Sequence, residues 1–131
     1  MLTPQRLVAR CGTMDLDCIA VTDHNTIDGA LAVQRIAPFT VIVGEEVGSA
    51  EGEITGLFLT ETVPRGLPPV ETARRIKAQG GLVSIPHPFD RFRRNVISRS
   101  ALEEVTPFAD IVEVFNSRNS LSADDRQAEE F

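Results

Sequence analysis

The sequence predicts an α/β fold built on five short strands. Short continuous apolar runs alternate with segments of helical periodicity, and the residues richest in chemistry fall at the ends of those runs. Size sets the bound. A chain of 131 residues, 42% of them hydrophobic, can bury one core, so 1–131 reads as a single domain.

The elements follow in order. Thr3 can cap a first helix and Pro4 suits its first position. Leu7, Val8, Cys11 and Met14 then share one helical face. Residues 18–21 form a β-branched apolar run bounded by polar residues, which predicts a strand buried on both faces. Asn25 or Thr26 can cap a second helix with Ile27, Leu31 and Ile36 inward, closed by Pro38. Residues 39–43 predict the second strand, ending at Gly44-Glu45-Glu46. A turn at 49–52 and a third strand at 54–59 predict an antiparallel hairpin. A helix from about Pro69 places Val70, Ala73 and Ile76 inward and stops at Gly80-Gly81. Residues 82–85 are the fourth strand, 101–105 a short helix stopped by Pro107, and 111–115 the fifth strand. Ser122 can cap a last helix with Asp124 and Asp125 in its first turn.

Composition excludes several functions. Thirteen Lys and Arg against nineteen Asp and Glu give a net charge of −6, the wrong sign for nucleic acid or anionic lipid. There is no Trp or Tyr, so only the seven Phe could stack on bases. No apolar run approaches the roughly 18 residues of a membrane span. Cys11 and Cys18 fit no metal or redox spacing and read as reduced core thiols. With no apolar core of a secretory signal, a cytoplasmic location is expected.

Asp23, His24, Glu46, His87 and Asn116 all fall just past predicted strand ends. In parallel α/β folds that edge is where sites are built. Two imidazoles and a carboxylate there form a nitrogen and oxygen ligand set suited to zinc, manganese or iron. The competing reading makes them helix caps and loop residues, and Asp23 in particular caps readily.

These residues carry a resemblance. Ile19-Ala20-Val21-Thr22-Asp23-His24-Asn25-Thr26-Ile27 resembles the second motif of the PHP (polymerase and histidinol phosphatase) family. Gly44-Glu45-Glu46-Val47 resembles its Gly-x-Glu motif, and Gly80-Gly81-Leu82-Val83 with Pro86-His87-Pro88 its Gly-Gly and His-Pro motifs. The strand from Asp110 to Asn116 fits the next in many members. The resemblance implies a partial, distorted (β/α)7 TIM-like barrel with about five strands present. It implies a divalent metal site (Mn, Zn or Fe) that hydrolyses a small phosphorylated substrate. By position, His24, Glu46 and His87 would ligate metal, Glu46 as a bridging carboxylate. Asp23 would orient His24 and share the catalytic role with Glu46.

Arg118 and Arg91 are the candidate phosphate binders. A family His after Gly-x-Glu is replaced by Thr55. The family's opening His-x-His strand and its late Gly-Ser-Asp-x-His strand have no counterpart in the 131 residues. The chain therefore looks truncated at both ends, with weak or lost activity expected. The other function class is a non-catalytic PHP-like module for structure or partner binding. An unpaired edge at the strand 18–21 predicts self-association.

Overall fold

A computed structural model describes residues 2–89, 95–114, 126, 129 and 130. The elements are α1 (Pro4–Thr13), β1 (Cys18–His24), α2 (Asp28–Gln34), β2 (Thr40–Ser49), β3 (Gly52–Leu57), α3 (Pro69–Ala78), β4 (Leu82–Ile85), α4 (Arg99–Val105), a 3-10 turn (Thr106–Phe108) and β5 (Ile111–Val112). The strands form one sheet in the order β1-β2-β3-β4-β5. β1 and β2 are parallel, β3 is antiparallel to both β2 and β4, and β5 runs parallel to β4. The α/β class and the β2–β3 hairpin thus agree with the sequence. The sheet is open, and its described strands do not close into a barrel.

β1 and β2 run further than their apolar cores. Parallel pairing continues from Cys18 opposite Thr40 to His24 opposite Glu46, so the ladder carries the polar ends along as strand. His24 therefore ends β1 and Glu46 lies within β2, neither of them in a following loop. Strand alternation then sorts the side chains. Val41, Val43, Glu45 and Val47 are buried on one face of β2. Glu46 and Gly48 turn to the other. Cross-strand pairing of Glu46 with Thr55 and of Gly48 with Glu53 places Glu53 and Thr55 on that second face as well.

The core lies on the first face. Ala30 of α2, Ala73 and Ile76 of α3, and Ala101, Leu102 and Val105 of α4 pack with Val43, Val47, Ile54, Val83 and Ile85. A fully buried isoleucine such as Ile54 or Ile76 contributes about 2–3 kcal/mol relative to exposure. α3 begins on Pro69 and ends at Ala78, and Gly80 just beyond its cap turns the chain with a φ of +78° that glycine accommodates. Ser98 caps α4 by accepting from the Ala101 N–H.

Several expected details differ. Ile36 is exposed and Val33 takes the inward position on α2, because the helix ends at Gln34 and Ile36 lies beyond it. Of the α1 face, Cys11 is buried and Met14 is exposed. Cys18 is an exposed thiol rather than a core one, because β1 is the edge of the sheet and its free side has no described neighbour. The fifth strand is two residues long, and the expected positions Phe115, Asn116, Arg118 and Ser122 lie outside the described residues. None of the described helices is long and apolar enough to cross a membrane.

Candidate metal centre

Three strands and one turn bring four side chains together on the polar face. β1 supplies His24 and β2 supplies Glu46, its partner in register. β3 supplies Glu53 from beside the hairpin turn, and the turn after β4 supplies His87. His24 Nε2 lies 3.6 Å from Glu46 Oε2, and its Nδ1 lies 3.5 Å from Glu53 Oε1. His87 Nε2 lies 3.6 Å from both Glu46 Oε1 and Glu53 Oε2. Each carboxylate thus presents one oxygen to each imidazole.

The backbone around these residues is pinned. Asn25 adopts φ +56° and ends β1. Its N–H donates to the Glu46 carbonyl at 3.1 Å, and its Oδ1 accepts from the Gly48 N–H at 2.9 Å. His87 is also left-handed, at φ +32°, an uncommon conformation for a residue with a Cβ. Its N–H donates to Glu113 Oε2 at 2.7 Å, and the Glu113 N–H donates to Ile85 at 3.0 Å. The end of β5 therefore holds the turn that aims the imidazole. Asn95 grips Glu53 twice. Its carbonyl accepts from the Glu53 N–H at 2.9 Å, and its side-chain amide donates to Glu53 Oε1 at 3.0 Å.

Burial is graded across the cluster. The side chain of His24 is 66% exposed, Glu46 19%, Glu53 8% and His87 2%. The His87 imidazole beside Glu46 holds that carboxyl below its usual value. Burial pushes Glu53 up, the Asn95 amide opposes this, and the charge of Glu46 adds to the rise. Behind the site, Glu45 is fully buried on the core face. Its carboxyl is raised by burial, partly offset by the Val63 N–H that donates to Oε2 at 2.8 Å.

The donor set fits a divalent cation. Both ring nitrogens of His87 are buried and have no hydrogen-bond partner, which is costly unless something else binds there. Two ligands held at about 2.1 Å from a tetrahedral ion stand about 3.4 Å apart. The His–Glu separations of 3.5–3.6 Å are close to that spacing and too long for good hydrogen bonds. Imidazole with carboxylate suits zinc, manganese or iron. His24, Glu46 and Glu53 each offer a ligand atom within 4.8 Å of the others.

His24, Glu46 and His87, singled out in the sequence, are thus brought together. Glu53 was missed. It falls between the turn expected at 49–52 and the strand expected from 54, and only the hairpin register shows that it shares a face with Glu46. Thr55, the position where the family His was expected, is directly opposite Glu46 on that face. It lines a cavity with Glu46 and His87 but adds no ligand. Asp23 is one residue from His24 and so turns to the opposite face. Its carboxylate occupies the space where Gly29 would otherwise carry a Cβ, and it makes no hydrogen bond to the His24 ring. Arg91 and Arg118 lie outside the described residues.

His24, Glu46, Glu53 and His87 form a His/Glu cluster that could hold a metal ion, at one edge of an open α/β sheet. The solved structures the chain resembles share that fold. A Bifidobacterium adolescentis protein ascribed metal-dependent phosphoesterase activity superposes with a TM-score of 0.76 at 13% identity, covering 98% of this chain and 77% of that one. A two-domain Bacteroides vulgatus protein, ascribed a PHP-like metal-dependent phosphoesterase region, gives 0.56 at 19% identity, covering 87% and 40%. This chain therefore shares the fold of these two structures. Two uncharacterised proteins of Methanocaldococcus jannaschii are similar in sequence. One is 40% identical over 89 residues, covering 66% of this chain and 52% of its own length. The other is 37% identical over 126 residues, covering 86% and 50%. The chain therefore spans about half the length of the curated relatives it matches. No family model matches it.

Proposed function

We propose that the chain functions as a metal-dependent phosphoric ester hydrolase of the PHP type. The observation that carries this reading is His87. A buried imidazole with no hydrogen-bond partner faces two carboxylates at 3.6 Å, an arrangement that a divalent cation completes. The fold shared with phosphoesterase-ascribed structures supports the reaction class.

His24, Glu46, Glu53 and His87 would hold the ion, which when bound lowers the pKa of water and polarises phosphoryl oxygen. Glu46 faces both imidazoles and so ties the exposed rim to the buried floor. Asn95 and Glu113 keep Glu53 and His87 aimed. The exposed His24 leaves one side of the cluster open to a phosphoester.

The test is metal analysis after dialysis against manganese, zinc and iron, with turnover of p-nitrophenyl phosphate. One retained ion per chain, lost together with turnover in His87→Ala, supports the reading. A chain that retains no ion would be the non-catalytic module instead.

A further inference from the structure

We propose that Arg65 sets substrate specificity, and that the substrate is a hydrophilic organophosphate whose second anionic group Arg65 takes. The inference rests on the phosphoesterase reading above. A cavity of about 750 Å³ has His24 and Glu53 in its wall together with Arg65 and Glu51. That volume suits an organic molecule rather than a bare inorganic ion.

The wall's chemistry narrows the class. Its described residues include no Phe, Tyr or Trp, and its apolar side chains are Ala50 and Val96. Among the described residues a nucleobase finds only the His24 ring to stack on, whereas a polyol finds polar groups and backbone. Arg65 is the one Lys or Arg among the described residues of the wall. It is exposed and makes no ion pair with a described residue, although Glu51 shares the cavity. Glu51 and Glu53 repel a second anion, so Arg65 offers it the favourable position.

The arginine also starts from a fixed point. The Gly66 N–H donates to the Gly48 carbonyl at 2.7 Å, and the Ala50 N–H donates to the Leu67 carbonyl at 2.8 Å. These two bonds stitch the loop to the tip of the β2–β3 hairpin, next to the strand that carries Glu53. A guanidinium held at its Cα loses less freedom on binding than one on a loose loop.

The test compares fructose 1,6-bisphosphate with fructose 6-phosphate on manganese-loaded protein, by calorimetric binding and by kcat/KM. The bisphosphate should bind about ten- to hundredfold more tightly, the range expected for charge-assisted hydrogen bonds. Arg65→Ala should erase that preference while leaving manganese affinity unchanged, and Arg65→Lys should restore part of it. Equal binding of the two sugars, or a preference that survives in Arg65→Ala, overturns the assignment to Arg65 and leaves the metal site standing. A chain that retains no manganese overturns both.

Discussion

Replacing Glu53 by Gln should stabilise the metal-free protein and destabilise the metal-loaded one. Glu46 and Glu53 offer oxygens within 4.8 Å of one another. Two full charges at that separation repel by about 3.5 kcal/mol at an effective dielectric of about 20. Solvent at the His24 rim and the flanking imidazoles reduce this, so a gain of about 1–2 kcal/mol is expected in chelator. For a domain of this size that is a rise in Tm of roughly 3–6 °C. Gln keeps a carbonyl for the Asn95 amide, which donates to Glu53 at 3.0 Å, so little else is lost. With metal the sign inverts. A ligand present at about 100 times its Kd stabilises by about 2.7 kcal/mol, and removing one of four ligands forfeits most of that.

The gain in chelator also depends on pH. Burial and the charge of Glu46 raise the Glu53 pKa in the folded protein. The folded state therefore holds the proton more tightly than the unfolded chain, and stability is lost as pH rises through the folded value. Glu53→Gln should help most near pH 8 and hardly at all near pH 4. The assay is calorimetric melting at both pH values, in EDTA and in manganese. A variant less stable than wild type in EDTA at pH 8 would refute the argument for repulsion. A variant more stable in manganese as well would show that Glu53 is no ligand.

Asp110 offers a second pH test. Its carboxyl is held low by Lys77, whose Nζ lies 2.7 Å from each oxygen, and by the Val83 N–H at 2.8 Å. That stability is present above the unfolded carboxylate pKa and is lost as pH falls through the folded one. Asp110→Asn should cost about 0.5–1 kcal/mol at pH 7, as for a partly exposed pair, and nothing near pH 2, by urea melts. Gly52→Ala should cost about 2–3 kcal/mol. The φ there is +125°, and a Cβ would collide with the backbone at Val96 and Ile97. Because that segment follows Asn95, manganese affinity by calorimetry should fall as well. The free edge of β1 should make the chain associate with rising concentration in sedimentation experiments, and Ala20→Lys should reduce it; a monomer at all concentrations would count against this.

Most of the framework was legible because burial and period coincide in it. Val83 and Ile85, or Ala73 and Ile76, are apolar at the spacing of their own element and buried for that reason. His24, Glu46 and His87 were legible because motif positions at strand ends project to one edge. What was not legible depended on pairing between strands. Apolar content stops at Val21 and Val43, but the ladder runs on to His24 and Glu46, and nothing in either segment alone reveals that extension. Glu53 follows from the same cause, since its face is fixed by Gly48 across the hairpin. Asp23 failed as a partner of His24 because neighbours on a strand point apart. Cys18 failed as a core thiol because exposure depends on the strand's place in the sheet.

The order of strands in space is the order of strands in the chain. Each described strand therefore lays itself against its predecessor, with no later described strand threading between earlier ones. During synthesis on the ribosome, the first 57 residues can place His24, Glu46 and Glu53 on one nascent sheet before β4 has emerged. His87 arrives afterwards, and Glu113, which pins its turn, last of all. A cation caught early would meet a shallow and easily exchanged site, and would be locked in only when the buried imidazole closes beneath it. A cation held by His24, Glu46, Glu53 and His87 would therefore reach its full ligand set only after β4 and β5 have been laid down.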